Sequence, residues 1–140
     1  MQRIEHCASI NVSPSEYLRL SDFQRFDELS GHSTYCATVN ASAGSFACLH
    51  YRFFFGDLTG FTRKLAAAFH TLNGTVALQT ERETDTLTFY FNETRGRVAL
   101  SVDFGRSSGA GSVQFDFGFD QTYVGPFLLE LEAINRALHG

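Results

Sequence analysis

Histidine and cysteine are the side chains of this chain that could ligate a metal ion or act as a base and a nucleophile. The five histidines share neither an i,i+4 spacing nor a His-Glu-X-X-His pattern, so scattered surface histidines are favoured, although distant ligands could still meet in the fold. Cys36 and His50 lie in neighbouring predicted strands, where a thiol and an imidazole could pair. Their surroundings do not resemble an environment that activates a thiol, which favours a structural cysteine. We therefore predict no metal, no cofactor and no catalytic residue.

Two other patterns could support chemistry but have simpler interpretations. Asp103 and Asp116 lie on the polar faces of adjacent predicted strands, and an acid–base pair there would need a pocket and a shifted pKa. A solvated sheet face is the favoured interpretation. The glycine-rich segment Gly105–Gly111 could cradle a phosphate only if a helix followed it, but a strand follows and no Gly-Lys-Ser/Thr is present. It is predicted to be a hairpin tip.

Length, charge and cysteine content restrict the class of protein. The 140 residues suit a single domain spanning 1–140, and the first 14 residues lack a sustained period, as expected of a mobile N-terminal segment. A net charge of -4 argues against a nucleic-acid binder, which would carry a basic face. No apolar run or leader indicates a membrane or secretory segment, and three widely spaced cysteines form no disulfide framework. These features predict a cytoplasmic protein.

The elements that must position any site are clearest in the C-terminal third. Apolar residues alternate with polar ones along 97–104 and 112–119, which predicts two strands with one apolar and one wet face each. The final helix carries an apolar stripe that should cover this sheet. The stripe comprises Val124, Phe127, Leu131, Ile134 and Leu138.

The central part of the chain is predicted to supply the rest of an antiparallel sheet and a first long helix. Asp57 is a suitable N-cap for a helix whose apolar residues, from Leu58 to Leu72, recur at steps of three and four. Strict alternation along 46–55 would place Leu49 on the buried face and His50 with Arg52 on the opposite one. The predicted fold is α+β, a single mainly antiparallel sheet of about six or seven strands with two long helices packed on one face.

The last 85 or so residues resemble the WapI-type immunity proteins, small bacterial proteins associated with polymorphic contact-dependent toxins. The resemblance rests on Phe61–Leu72, Val76–Leu78, Leu87–Phe91, Gly96–Val102 and Phe115–Tyr123. Its most specific element is Asp-Gln-Thr-Tyr at 120–123, after an aromatic alternating strand. Val124-Gly125-Pro126 follows where family members often have a bulky aliphatic residue, which leaves the start of the final helix between Asp120 and Gly125. The resemblance implies an intracellular protein that neutralises a cognate toxin, and it implies no catalytic residues.

Three classes of function follow from these observations. The favoured hypothesis is a non-enzymatic protein that binds a cognate toxin through the polar sheet face, with an acidic balance suited to a basic partner. The alternatives are a small-molecule-binding domain or enzyme with a pocket between sheet and helices, and a homodimeric module. The candidate partner-binding residues are His50, Arg52, Ser101, Asp103, Gln114 and Asp116.

Overall fold

The structure, a computed structural model, describes residues 2–27, 33–80, 84–92, 96–105 and 112–139. Nine strands and two long helices occur within these ranges. The strands are β1 (Gln2–Ile4), β2 (Ala8–Ser13), β3 (Glu16–Asp27), β4 (Ser33–Ala43), β5 (Phe46–Phe55), β6 (Gly74–Gln79), β7 (Thr86–Asn92), β8 (Arg97–Phe104) and β9 (Val113–Asp120). The helices are α1 (Leu58–Thr71) and α2 (Val124–His139), and a short 3-10 turn at Gln121–Tyr123 precedes α2.

The prediction of a single sheet is wrong, because the strands form two separate antiparallel sheets. In the first sheet β1 and β2 pair with successive parts of β3, which pairs with β4, and β4 pairs with β5. The second sheet is the predicted meander β6-β7-β8-β9. The alternating pattern shows which residues of a strand share a face, but it does not show which strands are neighbours. Helix α1 separates β5 from β6 in sequence, and the chain begins a new sheet after it.

Both helices have the apolar stripes that the sequence predicts, and the stripes are buried except at Leu72, which follows the last residue of α1 and is half-buried. Asp57 caps α1 by accepting a hydrogen bond from the Gly60 N–H at 3.0 Å. Asp120 caps the 3-10 turn in the same way, since its carboxylate accepts from the Thr122 N–H at 2.9 Å. The ambiguity about the final helix is thereby settled, because the turn comes first and α2 begins at Val124.

The helices cover the apolar faces of both sheets rather than one face of a single sheet. The Phe89 ring in β7 contacts Phe61 of α1 and Phe127 of α2, with centroids 6.0 and 5.8 Å apart. Helix α2 also reaches the first sheet, because Glu130 accepts a hydrogen bond from the Ser9 N–H at 3.1 Å. Buried residues from both sheets and both helices form one hydrophobic cluster. The outer faces of the two sheets are therefore left facing solvent.

Two β-bulges shift the alternation in the first sheet. The β3–β4 register slips between Ser21 and Gln24, and the β4–β5 register slips between Val39 and Ala41. Asp22 (φ 53°) and His50 (φ 57°) adopt the left-handed conformation at these slips. The predicted burial of Leu49 is wrong for this reason: the side chain is 55% exposed.

The N-terminal residues form two of these strands. Residues 2–4 pair with 23–25 of β3, and residues 8–13 pair with 16–20. Ala8 and Ile10 point into the core and are almost completely buried. This segment therefore completes the first sheet and packs against α2.

Candidate functional site

The six predicted partner-binding residues are divided between two surfaces. Ser101 of β8 lies directly opposite Asp116 of β9, and Asp103 lies opposite Gln114. These four share the outer face of the second sheet, where they alternate with buried residues. His50 and Arg52 belong instead to the outer face of the first sheet. The structure thus brings four of the six together and places the other two elsewhere.

The outer face of the second sheet is a polar surface of small side chains around one large aromatic residue. Tyr90 of β7 is 47% exposed and lies in a cross-strand row with Thr75, Ala99 and Gly118. Short neighbours leave the Tyr90 ring accessible, as in many protein-binding surfaces. We call the surface formed by Tyr90, Ser101, Asp103, Gln114, Asp116 and Asp120 the acidic sheet face.

Charge on this surface is unevenly distributed. Asp103 and Asp116 occupy the two rows beyond Tyr90, whereas Arg97 is paired with Asp120 at the other end of β8 and β9. The Arg97 side chain extends over Gly118, since a Cβ atom at that glycine would lie 3.2 Å from Arg97 Nη2. The pKa of the Asp120 carboxyl is lowered, chiefly by the hydrogen bond from the Thr122 backbone N–H. A carboxylate-rich end therefore adjoins the exposed ring of Tyr90.

The outer face of the first sheet contains an open groove of about 1120 Å³. The groove lies on the solvent side of this sheet and not between a sheet and the helices, where a ligand pocket was the predicted alternative. Both bulge residues line it, so the irregular backbone shapes its walls. Polar side chains from four strands contribute, among them Asn11, Tyr17, Arg19, Asp22, Asn40 and His50.

Arg52 lies beside the groove and is held by three partners on the outer face of the first sheet. Its Nη1 donates to Thr38 Oγ1 at 2.6 Å and lies 3.5 Å from Asp22 Oδ2, and its Nη2 contacts the Cys36 sulfur. Burial raises the pKa of the Cys36 thiol despite the nearby guanidinium. The neighbour of Cys36 is thus Arg52 rather than His50, and a protonated thiol suits the structural role that the sequence predicts.

A buried carboxylate connects the two sheets. Asp85 is 8% exposed and stands at the start of β7. Its Oδ2 accepts from the Tyr51 hydroxyl of β5 at 2.8 Å, and its Oδ1 accepts from the Gly105 N–H at 2.7 Å. The Tyr51 ring also stacks on Phe104 with centroids 4.7 Å apart. No pattern in the sequence marks these residues as partners, because they are joined only by the tertiary fold.

Alkaline pH should weaken this connection. Burial, followed by the hydrogen bond to Asp85, raises the pKa of Tyr51 from its ordinary value of 10.0 to about 12. Because the folded state favours the neutral phenol, its contribution to stability is complete below pH 10 and should be lost as the pH rises towards 12. We expect the free energy of unfolding, measured by urea titration, to fall more steeply over this range for the wild type than for Tyr51→Phe.

The comparison with Tyr51→Phe separates the effect of Tyr51 on stability from that of Tyr35. Burial also raises the pKa of Tyr35, but that group is present in both proteins and cancels in the difference. Parallel pH profiles for the wild type and the variant would contradict the assignment.

The remaining sequence-based predictions about chemistry concern metals, thiols and the glycine-rich segment. Among the described residues, no cluster of three or more histidine, cysteine or acidic side chains could hold a metal ion. Cys7, Cys36 and Cys48 are free thiols. Residues 106–111 of the predicted hairpin tip, and His32, lie outside the described residues. No helix in the described part of the chain is long and apolar enough to cross a membrane.

Sequence reasoning missed the groove residues of β3. Tyr17, Arg19 and Ser21 alternate with the buried Leu18 and Leu20, a pattern that places them together on the outer face. This alternation was the available signal, but only the pairing of β3 with both β2 and β4 shows that the face forms one wall of a groove.

Comparisons with protein-family models, with curated proteins and with solved structures found no match to this chain.

Proposed function

We propose that this protein is a non-catalytic immunity protein that neutralises a protein toxin by binding it through the acidic sheet face. The resemblance to the WapI-type immunity proteins motivates the class of partner. One observation carries the choice of surface: Ser101 and Asp116, and Asp103 and Gln114, are adjacent cross-strand pairs on a solvent-exposed face beside Tyr90. The proposed site of action is the cytoplasm, where the three free thiols would remain reduced.

The chemistry of this surface suits a basic partner. Asp103 and Asp116 supply negative charge at the end of this face away from Arg97, within a chain of net charge -4. Complementary charge accelerates the encounter of two proteins and orients them before contact. The Tyr90 ring can then supply the apolar contact, because tyrosine contributes a large and rigid area at a small cost in side-chain entropy. A toxin with a basic active-site surface would be blocked by such a contact.

Co-expression with a candidate toxin from a neighbouring gene, followed by affinity capture, tests the proposal. For the double variant Asp103→Lys/Asp116→Lys we expect the association rate in surface plasmon resonance to fall by at least about tenfold, because the variant reverses the local charge. The wild-type rate should itself fall with added salt.

Glu16→Lys/Glu132→Lys is the matched control, because it changes the net charge equally at residues outside the second sheet. It should bind the toxin at close to the wild-type rate. Failure of the wild type to form a complex, or equal losses for both double variants, would contradict the proposal. Light scattering on the isolated protein must show a monomer, since a dimer formed through the acidic sheet face would indicate the homodimeric alternative.

A further inference from the structure

The first-sheet groove is lined by an arginine that has no partner among the described residues. Arg19 of β3 lies in a cross-strand row between Ser9 of β2 and Asn40 of β4, and it is exposed. Other arginines of this sheet are engaged: Arg25 donates to the Leu138 carbonyl at 2.8 Å, and Arg52 donates to Thr38. The carboxylates of Glu5 and Asp22 also line the groove, and Asp22 is engaged by Arg52, so a guanidinium without a described partner is suited to one anionic group of a ligand.

The neighbours of Arg19 form a polar site around it. Tyr17 and Ser21 flank it on the same face of β3, because side chains two residues apart point to the same side. Asn40 is held in place on β4, where its Oδ1 accepts a hydrogen bond from the His50 N–H at 2.9 Å. That bond leaves the Asn40 amide nitrogen available as a donor beside the guanidinium. The row thus offers the N–H donors of a guanidinium and of an amide, which together can donate hydrogen bonds to a carboxylate.

Backbone strain near this cross-strand row indicates that the groove has a defined shape, unlike the face of a regular sheet. Asp22 and His50 adopt left-handed conformations, which are costly for residues with side chains, and both line the groove. Their bulges lie on the two strands that pair with β4, next to Thr38 and Asn40. Bulges bend a strand and redirect side chains, and they are frequent beside binding sites.

The size and apolar rim of the groove indicate a peptide rather than a small anion. A volume of about 1120 Å³ exceeds what a single carboxylate or phosphate group would fill. Leu49, which is 55% exposed, and Pro14 add apolar surface to the lining. A half-buried tyrosine with an exposed arginine and an exposed leucine around one groove can hold both the apolar and the charged groups of a peptide.

We propose that the first-sheet groove binds an extended segment of a partner protein, with an acidic side chain of that segment paired to Arg19. This site is separate from the acidic sheet face, since it lies on the other sheet and its Arg19 guanidinium pairs with a group of the opposite charge. It does not depend on the identity of the partner bound by the second sheet.

Fluorescence polarisation with the labelled peptide Gly-Ser-Glu-Leu-Glu-Leu-Ser-Gly tests the proposal. We expect saturable binding to the wild-type protein and at least about tenfold weaker binding when both glutamates of the peptide are replaced by glutamine, because a charge-assisted hydrogen bond is lost. Arg19→Gln should weaken binding of the acidic peptide by a similar factor. The affinity of Arg19→Lys should lie between those of the wild type and Arg19→Gln, because lysine keeps the charge but lacks the paired N–H donors of the guanidinium.

Arg63→Gln is the matched control, because Arg63 is an exposed arginine on α1 and its replacement changes the net charge equally. It should bind the peptide as the wild type does, and circular dichroism should show that all variants remain folded. Equal losses for Arg19→Gln and Arg63→Gln, or no saturable binding, would overturn the proposal. Displacement of the peptide by glutarate at an equal concentration would also overturn it, because the groove would then be a site for a free carboxylate.

Discussion

Replacing Phe89 with alanine is expected to lower the free energy of unfolding by about 3–5 kcal/mol. Phe89 is 0% exposed, and its ring contacts Phe61 of α1 and Phe127 of α2. The ring therefore joins the second sheet to both helices. Its removal would leave a cavity that three separate elements would have to move to fill, and the cost of a cavity increases with the volume that stays empty.

Tyr90→Ala is the matched control for this experiment, because Tyr90 is the next residue of β7 and points to the opposite face of the sheet. Its ring is 47% exposed, so its loss should cost about 1 kcal/mol or less. Urea unfolding of both variants measures the difference. Equal destabilisation would contradict the assignment of the two faces of β7. Under the proposed function the same Tyr90→Ala protein should fold normally but bind its partner more weakly.

Local elements could be predicted from the sequence because their signals lie within a few residues of one another. The stripe from Val124 to Leu138 is buried as the 3.6-residue period requires, and Asp57 caps α1 where a residue of that type is favoured. The same holds for β8 and β9, where alternation places Asp103 and Asp116 on the exposed face. Each of these features depends on the local period and on residue type, both of which can be read directly.

The arrangement of the strands could not be read in this way. The alternation in β5 and in β8 is equally consistent with one sheet or two, since a strand with one apolar face packs as well on a facing sheet as on a helix. The contact between Phe53 of β5 and Phe104 of β8 shows how the two sheets share the core, with centroids 5.0 Å apart. Such contacts depend on where distant segments meet in space, and the composition of a sequence does not show which segments meet.

His50 and Arg52 lie apart from the other four candidate residues because β5 belongs to the first sheet, whereas a bulge accounts for the wrong prediction about Leu49. One extra residue at His50 reverses the alternation of β5, so Leu49 faces solvent and Cys48 becomes buried instead. A bulge in a strand without glycine leaves little trace in the hydrophobic pattern. The groove around Arg19 was missed for a related reason, because two bulges and three strand pairings shape it.

Replacing Asp85 with alanine is the second change with a large expected effect, a loss of about 2–4 kcal/mol in the free energy of unfolding. Its carboxylate accepts hydrogen bonds from the Tyr51 hydroxyl and the Gly105 N–H, and it is almost completely buried. Hydrogen bonds to a charged acceptor are stronger than neutral ones, and alanine would leave both donors without this partner. The change would loosen β5, the start of β7 and the end of β8 together.

A double-mutant cycle with Tyr51→Phe separates the contribution of the Tyr51 hydrogen bond from that of the rest of the carboxylate. We expect the double variant to be more stable than the sum of the two single losses predicts, by about 0.5–3 kcal/mol, because both changes remove the same bond. The Asp85→Ala protein should also show a weaker alkaline dependence than the wild type, since the hydrogen bond to Asp85 adds to the effect of burial in raising the pKa of Tyr51. Strictly additive losses would show that Tyr51 and Asp85 act independently, and the carboxylate would then stabilise the fold through Gly105 alone.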